Sequence, residues 1–269
     1  MHIDDVDLTK ISPMMKQYID IKKENEDNIL FFRLGDFYEM FFEVAINVSN
    51  LLELTLTGKN CGLDERVPMC GIPFHAAEGY INKLIEMGYK VAICEQVEDP
   101  KLAKGLVKRD IIQVVSSGTK MNSESLDEKE NNYIGYILDL GYAYSIAYSD
   151  ITTGELNAFI IEKDEEKLRN EILQRNIKEI VIKSDFDRLV LDKIRKTYNL
   201  TISIYNNENL ENDYSKLYSS IEDERVIKAV NNLISYLETS QKRSLDYLRP
   251  VNIVNENSFM QMDIILKEI

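Results

Sequence analysis

The sequence is poor in the residues and segments that mark secreted, membrane or metal-binding proteins. It has no tryptophan, five prolines and three cysteines, Cys61, Cys70 and Cys94. An odd number of cysteines without tight spacing argues against a disulfide framework or a zinc site and favours a reducing compartment. No run of about 18 apolar residues is present, and the acidic N-terminus differs from a secretory signal. We therefore expect a cytoplasmic chain with no membrane partner and no metal.

An excess of positive charge is also missing. Residues 1–120 contain 14 lysines and arginines against 19 aspartates and glutamates, a net charge of −5, and the whole chain has −14. The stretch Lys101–Arg109 is a local exception, with four cations and no acid. Proteins that bind nucleic acid usually carry a basic surface. Any contact with DNA is therefore expected to be narrow, or to have its phosphates neutralised elsewhere.

The length and patterning predict two α/β domains joined by a polar linker. The first, residues 1–118, is predicted to contain a buried strand over 29–34, a helix from Gly35 to about 53, a strand over 54–57, a loop over 58–73, a helix over 75–87 and strands over 90–96 and 111–116. Residues 119–131 are polar and predict a linker. Residues 132–245 predict the second domain, and residues 246–269 the start of a further one.

The second domain has a readable order of elements. Three strand-like runs, 133–140, 142–151 and 155–161, are separated by glycine turns and predict an antiparallel meander. A helix over 164–175, a strand over 179–183, a helix over 186–198, a strand over 201–205 and a last helix over 224–241 follow. This order, three strands and then alternating helices and strands, is that of an RNase H-like domain.

The segment that follows Gly35 contains the candidate site. Asp36 and Glu39 have the spacing of a helix capping box, with Asp36 as the cap. On that helix Tyr38 would face the core, whereas Phe37 would lie roughly 60° and Glu39 roughly 140° from the centre of the apolar stripe. A phenylalanine at a helix start usually belongs to the core, and a glutamate three residues after the cap usually serves the helix. The spacing alone leaves both interpretations open.

The motif Gly-Asp-Phe-Tyr-Glu-Met-Phe over 35–41 resembles the mismatch-recognition motif of the MutS family of mismatch-repair proteins. Four further blocks resemble the family in its order and spacing: residues 54–57 (LTLT), 68–76 (PMCGIPFHA), 91–96 (VAICEQ) and 116–119 (SSGT). The resemblance covers nearly the whole chain. It implies a mixed-sheet α/β mismatch-binding domain followed by an RNase H-like α/β connector domain and the approach to a core domain.

The resemblance implies roles for particular residues. Phe37 would enter the minor groove as a wedge, and Glu39 would hydrogen-bond the mispaired base. Lys59, Met69 and Arg109 match family positions near DNA, although a solvated lysine, a packed methionine and a surface arginine are the plainer interpretations of these three. The partners implied are double-stranded DNA with mismatches and, through the connector domain, the protein MutL.

No Gly-x-x-x-x-Gly-Lys-Ser/Thr phosphate loop occurs, so we expect no enzyme activity and no cofactor in this chain. The family's ATPase, which uses ATP and magnesium, its clamp and its dimerisation elements lie in regions not represented here. The closing residues 262–269 also depart from the family pattern.

Two alternatives remain open. Asp139 and Asp150 lie on neighbouring predicted strands, where nucleases of the RNase H type hold metal-binding carboxylates, but no third acid is identifiable. The other alternative to mismatch binding is a protein-interaction module that contacts MutL, or a short member of the family with little DNA binding of its own. His75, before a predicted helix, is interpreted as a capping or packing residue.

Overall fold

The computed structural model describes residues 2–99, 105–120, 131–197 and 200–254, without the side chains of 196 and 197. Two compact units are present, the first Met1–Lys120 with Thr239–Arg243 and the second containing the other described residues. Lys101, Lys104, most of the predicted linker and the closing segment from 255 lie outside the described residues. Thr119, at the start of that linker, is buried, and its Oγ1 accepts a hydrogen bond from the amide of Ser116 at 2.9 Å.

The first unit is built on a six-stranded mixed sheet of order β3-β4-β2-β1-β5-β6. Only the β1–β5 pair is parallel among the strand pairs of this sheet. Its strands and helices, in chain order, are α1 (Pro13–Lys23), β1 (Ile29–Leu34), β2 (Phe37–Phe41), α2 (Phe42–Leu52), β3 (Thr57–Lys59), β4 (Val67–Pro73), α3 (Ala77–Glu86), β5 (Val91–Gln96) and β6 (Arg109–Val115).

Apolar side chains leave this sheet on both faces, as strand alternation requires. On one face Tyr38 and Met40 pack in a core with residues of α2 and α3. On the other face Phe32 and Phe41 pack against Met15, Tyr18 and Ile19 of α1. All strands of this sheet except β3 therefore contribute residues to both cores, and the mixed α/β fold expected for this domain is confirmed.

The residues after Gly35 form a strand, so the predicted helix start and capping box at Asp36 are wrong. Residues 35 and 36 make a two-residue turn between β1 and β2, and Gly35 has a φ of +58°, which favours glycine. The helix begins only at Phe42, which has a φ of +58° and is fully buried. No side chain caps it. Aromatic residues with high strand propensity, paired on both sides in the sheet, outweigh the local capping pattern.

Two further differences lie nearby. The strand predicted over 54–57 is displaced to Thr57–Lys59. The predicted loop over 58–73 contains β4, which pairs with both β2 and β3. The prolines and the glycine in Val67–Pro73 led to the prediction of a loop, because both residue types are uncommon inside strands. The segment is nevertheless a strand, and its alternate residues Cys70 and Ile72 are buried.

The second unit contains the elements predicted for it, in the predicted order. Its sheet has the order β11-β10-β7-β8-β9-β12. The elements are β7 (Tyr133–Asp139), β8 (Ala143–Asp150), β9 (Glu155–Glu162), α4 (Glu165–Gln174), β10 (Ile177–Ile182), α5 (Arg188–Thr197), β11 (Thr201–Ile204), α6 (Glu224–Gln241) and β12 (Asn252–Ile253), and the last three residues of α6 are counted with the first unit. The first three strands form the expected antiparallel meander, and β10 and β11 continue the sheet in parallel with β7.

Helices cover both faces of this second sheet. Leu168 and Ile172 of α4 pack in one core with Val190 and Ile194 of α5. Val226, Val230, Leu233 and Leu237 of α6 form much of the other. None of the helices within the described ranges is long and apolar enough to cross a membrane. The three cysteines are buried and form no disulfide, and all lie in the first unit.

Candidate nucleic-acid interface

Phe37 lies at the start of β2, next to the turn at one end of the sheet. It pairs with Leu34 on β1 and with Pro73 on β4, so its backbone is held between two strands. Its side chain is nevertheless 45% exposed, whereas Phe41 on the same face is fully buried beneath α1. The structure thus presents a large apolar ring to solvent from an ordered strand. Single exposed apolar side chains are common on protein surfaces, so the exposure of Phe37 gains its meaning from the residues beside it on the same face.

Tyr38 is the inward member of the motif, as the sequence predicts, although it occupies a strand and not a helix. Its hydroxyl donates a short hydrogen bond to Oε1 of Glu95, and burial together with this bond raises the pKa of Tyr38. The guanidinium of Arg33 also contacts Glu95, lies 3.8 Å from the centre of the Phe74 ring, and donates from Nε to the carbonyl of Gly35 at 2.5 Å. These contacts hold the turn from the face of the sheet opposite to Phe37.

Glu39 lies two residues after Phe37 and therefore on the same face of the sheet. Its Oε2 accepts a hydrogen bond from Nζ of Lys59 at 2.6 Å, an ion pair in which the side chains are 14% and 34% exposed. Gly71 pairs directly with Glu39, and a Cβ there would lie 3.5 Å from Cγ of Glu39 and 3.9 Å from Cδ1 of Phe37. The glycine leaves both side chains uncrowded.

Met69 and Lys59 share this face with Phe37 and Glu39. Met69 pairs with Phe41 on one side and with Thr57 on the other, and it is partly buried against the core beneath α1. The structure therefore brings together four of the five predicted site residues on one face of β2, β3 and β4.

Arg109, the fifth, occupies a different environment. It is 7% exposed, and its guanidinium lies 5.2 Å from the centre of the Phe32 ring. Nε donates to the carbonyl of Arg33 at 2.6 Å, and Nη1 donates to the carbonyl of Val107 and to Oε1 of Gln17. Burial lowers its pKa. These contacts give Arg109 a packing role, so its predicted contact with phosphate stays a prediction that this arrangement does not favour.

The two aspartates considered for a nuclease are far apart. Asp150 pairs with Tyr133 at one end of the β7–β8 ladder, and Asp139 pairs with Tyr144 at the other end. Six steps of a strand separate them, about 20 Å. Asp139 forms an ion pair with Lys163 at 2.9 Å. Across the described ranges, no group of three or more His, Cys, Asp or Glu residues is arranged to hold a metal ion.

Sequence reasoning missed Arg33, Glu95 and Gly71, which support the site from behind and from the side. Glu95 and Gly71 lie within the family-like blocks and Arg33 lies just before one, but the roles of all three depend on how the strands pair. Glu95 on β5 reaches Tyr38 on β2 across β1, the single strand that separates them. The sequence signal for β4 was the alternation of Met69, Gly71 and Pro73 with the apolar residues Cys70 and Ile72.

His75 is exposed in a short 3-10 helix (Phe74–Ala76), with its ring centre 5.9 Å from that of Phe74. No side chain of the described residues caps this helix or α3, so the predicted capping role is wrong, and the contact with its chain neighbour Phe74 leaves the exposed His75 outside the core.

Comparison with known proteins gives the family. The model described as MutS domain I matches residues 12–124, and the model described as MutS domain II matches residues 132–249. The DNA mismatch repair protein MutS of Listeria monocytogenes serovar 1/2a is 45% identical over 260 residues, which are 95% of this chain and 30% of that protein. The DNA mismatch repair protein MutS of Bacillus mycoides is 43% identical over 258 residues, 96% of this chain and 29% of that protein. The chain spans about 30% of the length of the curated relatives it matches. It belongs to the MutS family and contains the regions that the family models describe as domains I and II.

Proposed function

We propose that this chain binds mismatched double-stranded DNA in mismatch repair, with Phe37 as a wedge between bases and Glu39 as the partner of the mispaired base. The observation that supports this most directly is the exposed ring of Phe37 beside Glu39 on one face of an ordered strand. The family relationship adds the substrate, since the matched relatives are described as DNA mismatch repair proteins.

The wedge reads how easily the duplex deforms. A ring that enters from the minor groove unstacks a base step and kinks the duplex, at a cost of a few kcal/mol. The cost is lower where the pair is already faulty, because less pairing and stacking is lost. That difference in deformation energy separates mismatched from matched DNA without reading a particular sequence.

Glu39 contributes the second part of the discrimination. A carboxylate close to phosphates is repelled, so Glu39 weakens binding to a perfect duplex. A displaced base offers a hydrogen-bond donor to the carboxylate and so recovers this energy. Met69 and Lys59 lie on the same face and complete the surface.

The test compares Phe37→Ala with a matched control, Tyr89→Ala. Tyr89 is also an exposed aromatic residue, at 41%, but it comes just before β5, at the end of the parallel pair β1–β5 away from the Phe37 turn. Fluorescence anisotropy with a G·T duplex and a matched duplex, at low salt, measures both affinities. We expect Phe37→Ala to lose the mismatch preference, about ten-fold or more by the loss of ring–base stacking, and Tyr89→Ala to keep it.

An unchanged preference in Phe37→Ala would refute the assignment. A preference lost equally in both variants would show that the effect is not specific to the wedge. Binding that is confined to low salt would agree with the acidic charge of the chain, since contacts with phosphate are salt-dependent.

A second candidate function concerns the second unit, an RNase H-like connector in our proposal, which would contact the protein MutL. Two features favour a protein partner there over DNA. Residues 121–269 carry 18 basic against 27 acidic residues, a net charge of −9. Leu189, Tyr142 and Ile204 are 71%, 63% and 60% exposed. Binding of the chain to immobilised MutL, compared with the triple variant in which these three become serine, tests it; equal binding of both would refute a role for these residues.

We further propose that the chain itself is not an enzyme and uses no cofactor, and that it works in the reducing cytoplasm, because an odd number of cysteines without tight spacing does not suit a disulfide framework. The separation of Asp139 and Asp150 supports the first point against the nuclease alternative. Mg²⁺-dependent cleavage of a labelled duplex by the chain would contradict it.

A further inference from the structure

We propose that Lys59 determines mismatch specificity by acting through Glu39, and not by contacting phosphate. In this proposal Lys59 holds the carboxylate by one oxygen and offsets its charge, so that the repulsion between Glu39 and the duplex is limited. The inference rests on the proposed function of Phe37 and Glu39.

The sheet order makes this pairing possible. β3 is the edge strand and β4 separates it from β2, so Lys59 must reach across β4 to meet Glu39. Its Nζ lies 2.6 Å from Oε2 of Glu39 and 5.8 Å from the centre of the Phe41 ring. Lys59 pairs with Val67 of β4 and Glu39 pairs with Gly71, so the two side chains meet obliquely across β4, with Met69 between those two positions on the same face. An exposed lysine without such a partner would extend into solvent.

The bond occupies Oε2 of Glu39 and leaves Oε1 for a base. A carboxylate can accept several hydrogen bonds, so Glu39 can meet a donor on a base while Lys59 stays in place. The ion pair is also largely shielded, because the Glu39 side chain is only 14% exposed. Charges in such positions are screened less by salt than those on the open surface.

The two duplexes should therefore respond differently to loss of Lys59. On a matched duplex no displaced base faces Glu39, so an uncompensated carboxylate repels the phosphates in full. On a mismatched duplex the hydrogen bond from the base offsets part of the same charge. Removal of Lys59 consequently weakens matched binding more than mismatched binding and raises the ratio of the two affinities.

The experiment is a double-mutant cycle of Lys59→Met and Glu39→Gln in the 269-residue chain, with G·T and matched duplexes titrated at several salt concentrations. We expect Lys59→Met to raise the mismatched-to-matched ratio about three-fold, the scale of a partly exposed ion pair. In the Glu39→Gln background the same change should leave the ratio unaltered. Lys59→Arg keeps the charge and should restore the parent ratio.

Lys163→Met is the matched control. It removes a lysine from an ion pair of similar geometry, at 2.9 Å from Asp139 with side chains 38% and 23% exposed. It should leave the ratio at the parent value. Urea unfolding of the cycle without DNA verifies that each variant folds and shows whether the effects of Lys59→Met and Glu39→Gln are non-additive, as contact between the two residues requires.

Different failures have different meanings. An equal loss on both duplexes that persists in Glu39→Gln, with the salt slope reduced by about 0.9, would show that Lys59 contacts a phosphate and would overturn this inference alone. A parent chain with no mismatch preference would overturn the proposed function, and this inference with it.

Discussion

Gly71 offers a direct test of the site's geometry, because it is the residue of β4 opposite Glu39. A Cβ at this position would lie 3.4 Å from the carbonyl oxygen of Tyr38, 3.5 Å from Cγ of Glu39 and 3.9 Å from Cδ1 of Phe37. These are ordinary van der Waals distances, so a single methyl group fits. The next atoms of a larger side chain would extend about 1.5 Å further, into the space that Glu39 and Phe37 occupy.

Alanine and valine at Gly71 should therefore separate stability from recognition. Gly71→Ala reduces the freedom of the unfolded chain and should raise the free energy of unfolding by about 0.5–1 kcal/mol, with the mismatch preference kept. Gly71→Val must displace Glu39, Phe37 or both. We expect it to lower the mismatch preference about ten-fold, the scale of a misplaced contact worth 1.4 kcal/mol.

Urea unfolding and anisotropy with G·T and matched duplexes measure these two effects in the same preparations. Gly71→Ala is the control for any change in the backbone of β4. The reasoning is refuted if Gly71→Val folds with normal stability and keeps the full preference, because the side chains next to residue 71 would then not be those that meet the DNA.

Gly62→Ala should lower the free energy of unfolding by several kcal/mol, since the φ of Gly62 is +93° and a Cβ there would lie 2.3 Å from the carbonyl oxygen of Lys10. Gly79→Ala, at a helical position with no atom within 4 Å of an added Cβ, should instead raise the free energy of unfolding by up to about 1 kcal/mol. Urea unfolding of both variants measures this contrast. Burial raises the pKa of Cys70 to about 11 and of Cys94 to about 12. Because the unfolded thiols ionise from about pH 8.5–9 while the folded ones stay protonated, stability should fall by about 1.4 kcal/mol per pH unit per thiol up to pH 11. A double alanine variant at these two positions with the same alkaline slope as the parent would contradict this.

In the second unit the order of the elements could be predicted from the sequence, because the residues that form its turns are clear. Gly141 and Gly154 have φ values of +85° and +71° and separate the three strands of the meander where the sequence places the turns. The helix Glu224–Gln241 also has the predicted bounds, because its apolar residues recur at helical spacing and pack on one face of the sheet. Local signals and tertiary packing agree in this unit, so element order could be read directly.

The segment after Gly35 shows why local signals can fail. Asp36 and Glu39 satisfy a capping pattern, but the chain gains more by pairing β2 with both β1 and β4. Nothing in the residues near 36 indicates that β4, some 30 positions later, will lie beside them. Tyr38 was predicted to face inward from helical spacing, and in β2 it faces inward for a different reason, because alternate residues of a strand point to opposite faces of the sheet.

The candidate site was predictable only in part. The family motif supplied Phe37 and Glu39, yet their shared face follows from strand geometry and not from the predicted helix. Arg109 shows the limit in the other direction, since a cation in a basic stretch of sequence is buried with carbonyl and amide partners. Burial depends on contacts with distant strands, which a single sequence does not reveal.

The pairing of Phe37 on both sides also has an entropic consequence. Ordering one residue of a flexible loop costs about 1–2 kcal/mol of backbone conformational entropy, and several residues would have to be ordered around a loop-borne probe. The backbone of Phe37 is instead already paired with Leu34 and Pro73 in the chain without DNA. In the proposed wedge role, the cost of ordering on the protein side would be confined to the rotation of the ring, so little of its stacking energy would be spent on ordering the probe itself.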